Sequence, residues 1–242
     1  MAPTLFVSDI HLNMARPETT RLFLQFIKAC SSKASALYVL GDCFDRYLGD
    51  DDHTEPHPQI IDAFAAATAA GLSLSVCHGN HDFLIGVEFE QRTGCTLIAD
   101  HTVVNIRDTS TLLMHGDTLC TDDQEYQAFR AYSRSPDNQR EFLAQSLDER
   151  IAQAEEIRRQ SHQATQLKAD DIMDVNQEAV ENAFRNHEVS TLIHGHTHRP
   201  AIHEFELDGR AVMRAVLGDW YEQDSVGIWD QDGLSLGVIQ NL

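Results

Sequence analysis

The sequence of 242 residues is poor in positive charge: 18 Lys and Arg stand against 38 Asp and Glu, a formal net charge of −20. Nucleic-acid binding draws on a basic face that displaces counterions, so no nucleic-acid partner is expected. Long apolar runs are missing as well, and none approaches the roughly 18 residues of a membrane span. Met1 to Asp9 reaches acidic residues at once, without the basic region and apolar stretch of a secretion leader. The five cysteines (Cys30, Cys43, Cys77, Cys95 and Cys120) are odd in number and form no CxxC pair. That argues against a disulfide framework and for a reduced, cytoplasmic chain with buried thiols. Repeats and low-complexity tracts are absent too. What is abundant is histidine, 13 residues, five of them in tight motifs with Asp, Asn and Gly. Apolar residues make up 42% and charged ones 23%, the balance of a folded chain with a sizeable core.

Leu5 to Asp9, Ala36 to Leu40 and Leu72 to Cys77 read as short buried strands that end in polar loops. Between them, Glu18 to Cys30 and Pro58 to Ala70 carry helical stripes. This alternation predicts an α/β sheet with functional loops at the strand ends. Val103 to Ile106 and Thr111 to Met114 look like a hairpin, and Val189 to His194 like another strand. The tail reads as three antiparallel strands, Ile202 to Leu207, Ala211 to Leu217 and Val226 to Trp229, with a fourth over Leu234 to Ile239. The whole of 1–242 is expected to be one domain. Its stretch from about 122 to 187 has helical periodicity and no strand signal. There Phe142, Leu143, Leu147, Ile151, Ala154 and Ile157 mark a narrow apolar face. So polar a stretch predicts a cap over the site rather than core.

Five short motifs follow predicted strands: Asp9-Ile10-His11, Gly41-Asp42, Gly79-Asn80-His81-Asp82, His115-Gly116-Asp117 and Gly195-His196-Thr197-His198. Each alone is weak, because Gly-Asp is a common turn and a lone His is more often a surface group. Together they supply imidazole, carboxylate and amide oxygen without thiolate, a donor set for Mn²⁺, Fe²⁺, Co²⁺ or Zn²⁺ rather than for structural zinc. The DxH and HxH spacings predict paired side chains on one side of an extended segment. A carboxylate such as Asp42 can bridge two cations about 3.5–4 Å apart, a spacing suited to clamping a phosphate during in-line displacement. Asp82 and Asp117 are expected to orient the ligand histidines. The other histidines, and Trp220 and Tyr221, are expected to pack or lie at the surface. The Asp50-Asp51-Asp52 run reads as a solvated loop.

The five-part pattern resembles the calcineurin-type metallophosphoesterase superfamily. The resemblance implies a four-layer α/β/β/α sandwich with a helical cap insertion and two divalent metal ions, Mn²⁺ being the expected pair. Asp9, His11, Asp42 and His198 would hold one ion, and Asp42, Asn80, His115 and His196 the other. Within the superfamily, stretches such as Met114 to Asp123 and Leu192 to Ala201 are similar to the UDP-2,3-diacylglucosamine pyrophosphohydrolase family. That implies hydrolysis of a lipid-linked UDP-sugar to UMP and 2,3-diacylglucosamine 1-phosphate in lipid A biosynthesis. It also implies peripheral contact with the cytoplasmic face of the inner membrane; no protein partner is indicated. Catalysis would rest on Asp42, His81 and His115, and substrate on Asn80, His81, Asp123, Ser161, Thr165, Lys168 and His196. Ser161, Thr165 and Lys168 share one helix face by spacing. The chain departs from the family at two places. His81 stands where the family typically carries Arg, and from Arg134 to Asp171 the cap has six basic residues against eight acidic ones. Both departures keep open a soluble phosphoesterase acting on a nucleotide such as a dinucleoside polyphosphate.

Overall fold

A computed structural model of the chain describes residues 2–165 and 174–239, with 162–165 described by backbone alone. The first half alternates as the sequence predicts. Strands β1 (Thr4–Val7), β2 (Ala36–Leu40), β3 (Ser73–Cys77) and β4 (Thr96–Ile98) are joined by helices α1 (Pro17–Lys33), α2 (His57–Ala69) and α3 (Val87–Thr93). These four strands pair in parallel, with Leu5, Leu37 and Leu74 in one register row. The period of two sorts their side chains. Leu5, Val7, Leu37, Val39, Leu74 and Val76 face the α1–α2–α3 layer, in a core with Phe23, Phe26, Ile60, Phe64 and Phe89. Phe6, Leu40 and Cys77 face the other way.

A second sheet receives that other face. It is built from β5 (Thr102–Ile106), β6 (Thr109–Leu113), β7 (Thr191–His194), β8 (Ala201–Leu207) and β9 (Arg210–Val216), in the order β5-β6-β7-β9-β8. Ile106, Leu113, Ile193 and Ala215 meet Phe6, Leu40 and Cys77 between the sheets. Its outer face is covered by α7 (Gln177–His187), through Val180, Ala183 and Phe184. The layers therefore run helix, sheet, sheet, helix, the four-layer sandwich that the motifs imply. Every expected site loop leaves the C-terminal end of β1, β2, β3, β6 or β7, strands that run parallel within their sheets.

The structure departs from the sequence reading in three places. The tail is not one antiparallel run: β8 and β9 belong to the second sheet, whereas β10 (Ser225–Asp230) and β11 (Gly233–Val238) complete the first, β10 antiparallel to β1. The loop over residues 217–224 crosses between the sheets, a change of partner that strand periodicity does not carry. The expected cap, 122–187, divides. α4 (Gln124–Ser133) and α5 (Pro136–Leu143) bury no residue, while α7 is part of the sandwich. The apolar stripe is broken as well, because Phe142 and Leu143 end α5, whereas Leu147, Ile151, Ala154 and Ile157 lie half-buried along α6 (Leu147–Thr165). α3 and β4 have no expected counterpart, being too short for their periodicity to register. Among the described residues, no helix is long and apolar enough to cross a membrane.

Candidate metal centre

The five loops meet at one point. Donor atoms of Asp9, His11 and His198 lie within 4.8 Å of one another, as do those of Asp42, His115 and His196. Asp42 joins the two groups: its Oδ2 is 3.7 Å from His11 Nε2 and 3.5 Å from His115 Nε2. Asn80 Oδ1 lies 2.9 Å from His115 Nε2. All seven expected ligands are thus brought together around the two groups, with Asp42 between them. Asp9 and Asp42 are buried, and carboxylates out of water demand a nearby positive charge.

The local chemistry fits divalent cations. Both ring nitrogens of His11 are buried without a hydrogen-bond partner, and Asp9 Oδ1 faces His198 Nε2 at 3.3 Å. The His115 Nδ1 proton is donated to the Leu40 carbonyl at 2.9 Å, which turns the Nε2 lone pair toward Asp42 and Asn80. Lone pairs gathered this way, with no thiol among them, are the donor set of a borderline metal. The buried carboxylates also draw positive charge to this point. Burial acts against the charged form of His115, but the Asp42 carboxylate overrides it and holds the pKa well above the usual imidazole range. Burial also works against Asp9, which the His198 hydrogen bond and the imidazole charges nonetheless hold down at about 2. Burial, then the charge on His115, pushes His196 down to about 4.

How the ligands converge differs from the extended alternation expected of DxH and HxH. Asp9, His11, Asp42, His196 and His198 all have left-handed backbones, with φ between 50° and 69°. Such residues cost on the order of 1–3 kcal/mol each and persist where the surroundings over-determine them; Asp and His tolerate the region better than most. Turns, rather than strand pleats, aim these side chains. The loops also lie very close together. A Cβ on Gly79 would stand 2.0 Å from Asp42 Oδ1, and one on Gly195 2.2 Å from Asp9 Oδ2.

Neighbouring groups hold this arrangement, though not all in their expected roles. Asp82 accepts from the backbone N–H of Cys43 at 2.7 Å and Gly79 at 2.8 Å, so it ties two ligand loops together rather than orienting a histidine. Asp117 accepts from Tyr126 Oη at 2.6 Å and Arg130 Nε at 2.7 Å. The Tyr126 ring in turn stacks on the His196 imidazole at 6.0 Å, and the Asp117 charge also acts on that histidine. Three participants carry no signal in the sequence. Asp45 forms a third donor group with His11 and His81, and its carbonyl accepts from His81 Nδ1 at 2.9 Å. Tyr221 stacks on His11 at 5.5 Å, closer to the centre than a packing role implies. Arg134 donates to the Gly79 carbonyl at 2.9 Å.

Of the expected substrate residues, Asn80, His81 and His196 belong to this cluster. Asp123 caps α4, accepting from Tyr126 N at 3.1 Å. Ser161 is exposed on α6, one turn beyond Arg158, which pairs with Asp45 at 2.6 Å. The Thr165 side chain and Lys168 lie outside the described residues. The Asp50-Asp51-Asp52 run is structural, although Asp51 itself is largely exposed. Asp50 accepts from the Gly86 and Glu88 amides, Asp52 from Leu48 and Thr54, and Asp51 pairs with Arg150 of α6, which is 1% exposed.

Two sheets between helices, with paired carboxylate–imidazole sets at the strand ends, define a metal-dependent phosphoesterase. A family model for the calcineurin-like phosphoesterases matches residues 2–200, and the chain belongs to that family. Within it, the chain is 46% identical over 217 residues to a UDP-2,3-diacylglucosamine hydrolase of Chromohalobacter salexigens, covering 90% of this chain and 88% of the relative. It is 44% identical over 240 residues to the protein of that name from Xanthomonas campestris pv. campestris, covering 96% and 97%. A solved archaeal phosphodiesterase shares the fold at 14% identity, with a TM-score of 0.50 over 98% of this chain and 99% of that one.

Proposed function

We propose that the chain hydrolyses the pyrophosphate bond of UDP-2,3-diacylglucosamine to UMP and 2,3-diacylglucosamine 1-phosphate, a step of lipid A biosynthesis. The observation that carries this reading is 44% identity to a hydrolase of that substrate along 96% of the chain. Asp9, His11, Asp42 and His198 would hold one divalent ion, and Asp42, Asn80, His115 and His196 the second; we assign Mn²⁺. When bound, such a pair neutralises phosphate charge and makes water acidic enough to attack near neutral pH.

The chain's own groups do the rest. Asp42 and Asp9 supply the negative charge that fixes the ions, and the Leu40 carbonyl keeps the His115 proton away from the centre. The Asp45 carbonyl takes the Nδ1 proton of His81, which leaves Nε2 for substrate. A water oxygen bonds to the uridine-side phosphorus as the bond to the bridging oxygen breaks; the water's protons pass to solvent, and the bridging oxygen leaves on the lipid phosphate. His81 offers Nε2 to the departing phosphate as a hydrogen-bond partner. It does so without the two-pronged grip of guanidinium. Asp123, Ser161, Thr165 and Lys168 would hold the sugar phosphate and α4 to α6 would cap the acyl chains. Exposed Phe129, Tyr132 and Leu143 on α4 and α5 support peripheral contact with the inner membrane's cytoplasmic face.

The test is product analysis of the Mn²⁺-loaded protein with UDP-2,3-diacylglucosamine, beside UDP-N-acetylglucosamine and a dinucleoside tetraphosphate. UMP and lipid phosphate from the diacylated substrate alone are expected. Turnover of only the soluble nucleotides would replace this reading with a nucleotide phosphoesterase.

A further inference from the structure

A cavity of about 560 Å³ opens beside the metal centre, between the start of α1 and the 219–224 loop. Its inner wall is fastened to the expected ligands. The Trp220 amide donates to the Asp9 carbonyl at 3.3 Å, Tyr221 stacks on His11, and Asp219 Oδ2 lies 3.7 Å from His198 Nδ1. Its lining has three chemical parts. Leu22 and Trp220 give it an apolar side, and the buried Trp220 Nε1 has no hydrogen-bond partner. Arg16 lies with its guanidinium 3.7 Å over the Tyr221 ring. Glu18, Asp219, Glu222 and Asp224 supply four carboxylates against that one cation.

We propose that this cavity takes the nucleoside half of the substrate, its ribose and pyrimidine, while the phosphates stay at the metal centre. The inference rests on the reading above and adds the direction in which the substrate lies. Four carboxylates repel a phosphate, so only the uncharged end of a nucleoside diphosphate sugar suits this lining. Ribose hydroxyls are donors for carboxylate oxygens, the pyrimidine carbonyls are acceptors for the Arg16 guanidinium, and the ring's apolar face suits Leu22. A volume of about 560 Å³ falls within the range of small-molecule sites.

Calorimetric titration of the Mn²⁺-loaded protein with UMP, ribose 5-phosphate and inorganic phosphate tests this. UMP is expected to bind about tenfold or more tighter than phosphate, with ribose 5-phosphate between them. Leu22→Trp, which fills the cavity, and Arg16→Ala, at an exposed position, should each erase most of the UMP advantage while phosphate still binds. Retained phosphate affinity and metal content show that a variant is folded. Should Leu22→Trp fail to fold, Arg16→Ala decides alone. An undiminished UMP advantage in the folded variants, or equal UMP and phosphate affinity in the wild type, overturns the proposal. Hydrolysis of UDP-2,3-diacylglucosamine is scored separately. Turnover with unchanged UMP binding in the variants defeats the cavity alone. Cavity-dependent UMP binding without turnover of that substrate defeats the lipid reading and leaves the nucleoside site standing.

Discussion

Gly195→Ala should disable the metal centre through one added methyl group. The new Cβ would lie 2.2 Å from Asp9 Oδ2 and 2.2 Å from Ser8 Oγ. Both neighbours are buried, and the Asp9 oxygen already accepts from Ser8 Oγ at 2.6 Å and His196 N at 2.9 Å. Neither can rotate away without breaking those bonds, so Asp9 must shift by about 1 Å to restore ordinary contact. Metal–ligand bonds tolerate only about 0.2 Å, and a misplacement of about 1 Å costs roughly 10²-fold in rate. We therefore expect kcat on UDP-2,3-diacylglucosamine to fall about 100-fold and metal content per chain to drop. The assays are metal analysis by mass spectrometry and UMP-release kinetics at saturating Mn²⁺. Gly209→Ala is the control. Gly209 also has a left-handed backbone, φ 76°, but a Cβ there meets nothing within 4 Å. It should cost about 1 kcal/mol of stability and leave metals and rate alone. Near-normal metal content and rate in Gly195→Ala would refute the claim that close backbone approach sets the Asp9 position.

Asp42→Ala removes the carboxylate shared by both expected ligand sets, so metal analysis should show both ions depleted and activity lost; one ion retained at full occupancy would deny the bridging role. His81→Ala should keep both ions but slow the chemistry by about 10²–10⁴-fold, read as kcat beside metal content, and loss of metal would make His81 a ligand instead. Arg150→Ala deletes a buried bond to the Leu48 carbonyl worth about 1.5–3 kcal/mol, and a bond to Asp51 that solvent weakens because Asp51 is 64% exposed; at about 2–4 °C per kcal/mol, a thermal melt should drop by several degrees, and an unchanged melt would show that α6 docks by other contacts. Burial lowers the His57 pKa below 6.5, so the unfolded chain binds the extra proton and stability falls as pH drops below that value. Denaturant titrations of the Mn²⁺-loaded protein at pH 7.5 and 5.5 should show a smaller loss in His57→Gln than in the wild type, and equal losses would clear His57.

Most of the sandwich was legible because its buried strands carry their own pattern. Leu5 and Val7 alternate with Phe6, and the structure sends the first two to the helices and the third to the second sheet. The convergence of the candidate ligands was legible for a chemical reason: Asp, His and Asn packed beside glycines at strand ends have few other uses in a non-basic chain. The tail was misassigned because β9 and β10 are each plausible strands, and periodicity does not say which sheet a strand joins. Asp45 escaped notice because nothing distinguishes it from a loop carboxylate. Its part comes from the turn that sets its carbonyl under His81 and its carboxylate opposite Arg158.

The backbone conformation of the ligands was the least legible feature, and it bears most on function. Alternate spacing suggested two side chains sharing one side of an extended segment. The left-handed residues at 9, 11, 42, 196 and 198 give the same convergence by a different route. An extended strand end can slide or fray, whereas a left-handed turn has few nearby alternatives once its amides are tied. They are tied here: His11 N to the Asp42 carbonyl at 2.9 Å, Asp9 N to the Gly41 carbonyl at 3.1 Å, and His196 N to Asp9 Oδ2 at 2.9 Å. Each ligand loop is thus held by another ligand loop, so the strain stored at one position is supported by its neighbours. The surrounding sheets then carry the cost of that strain as lost stability, in exchange for donors already aimed before any cation arrives.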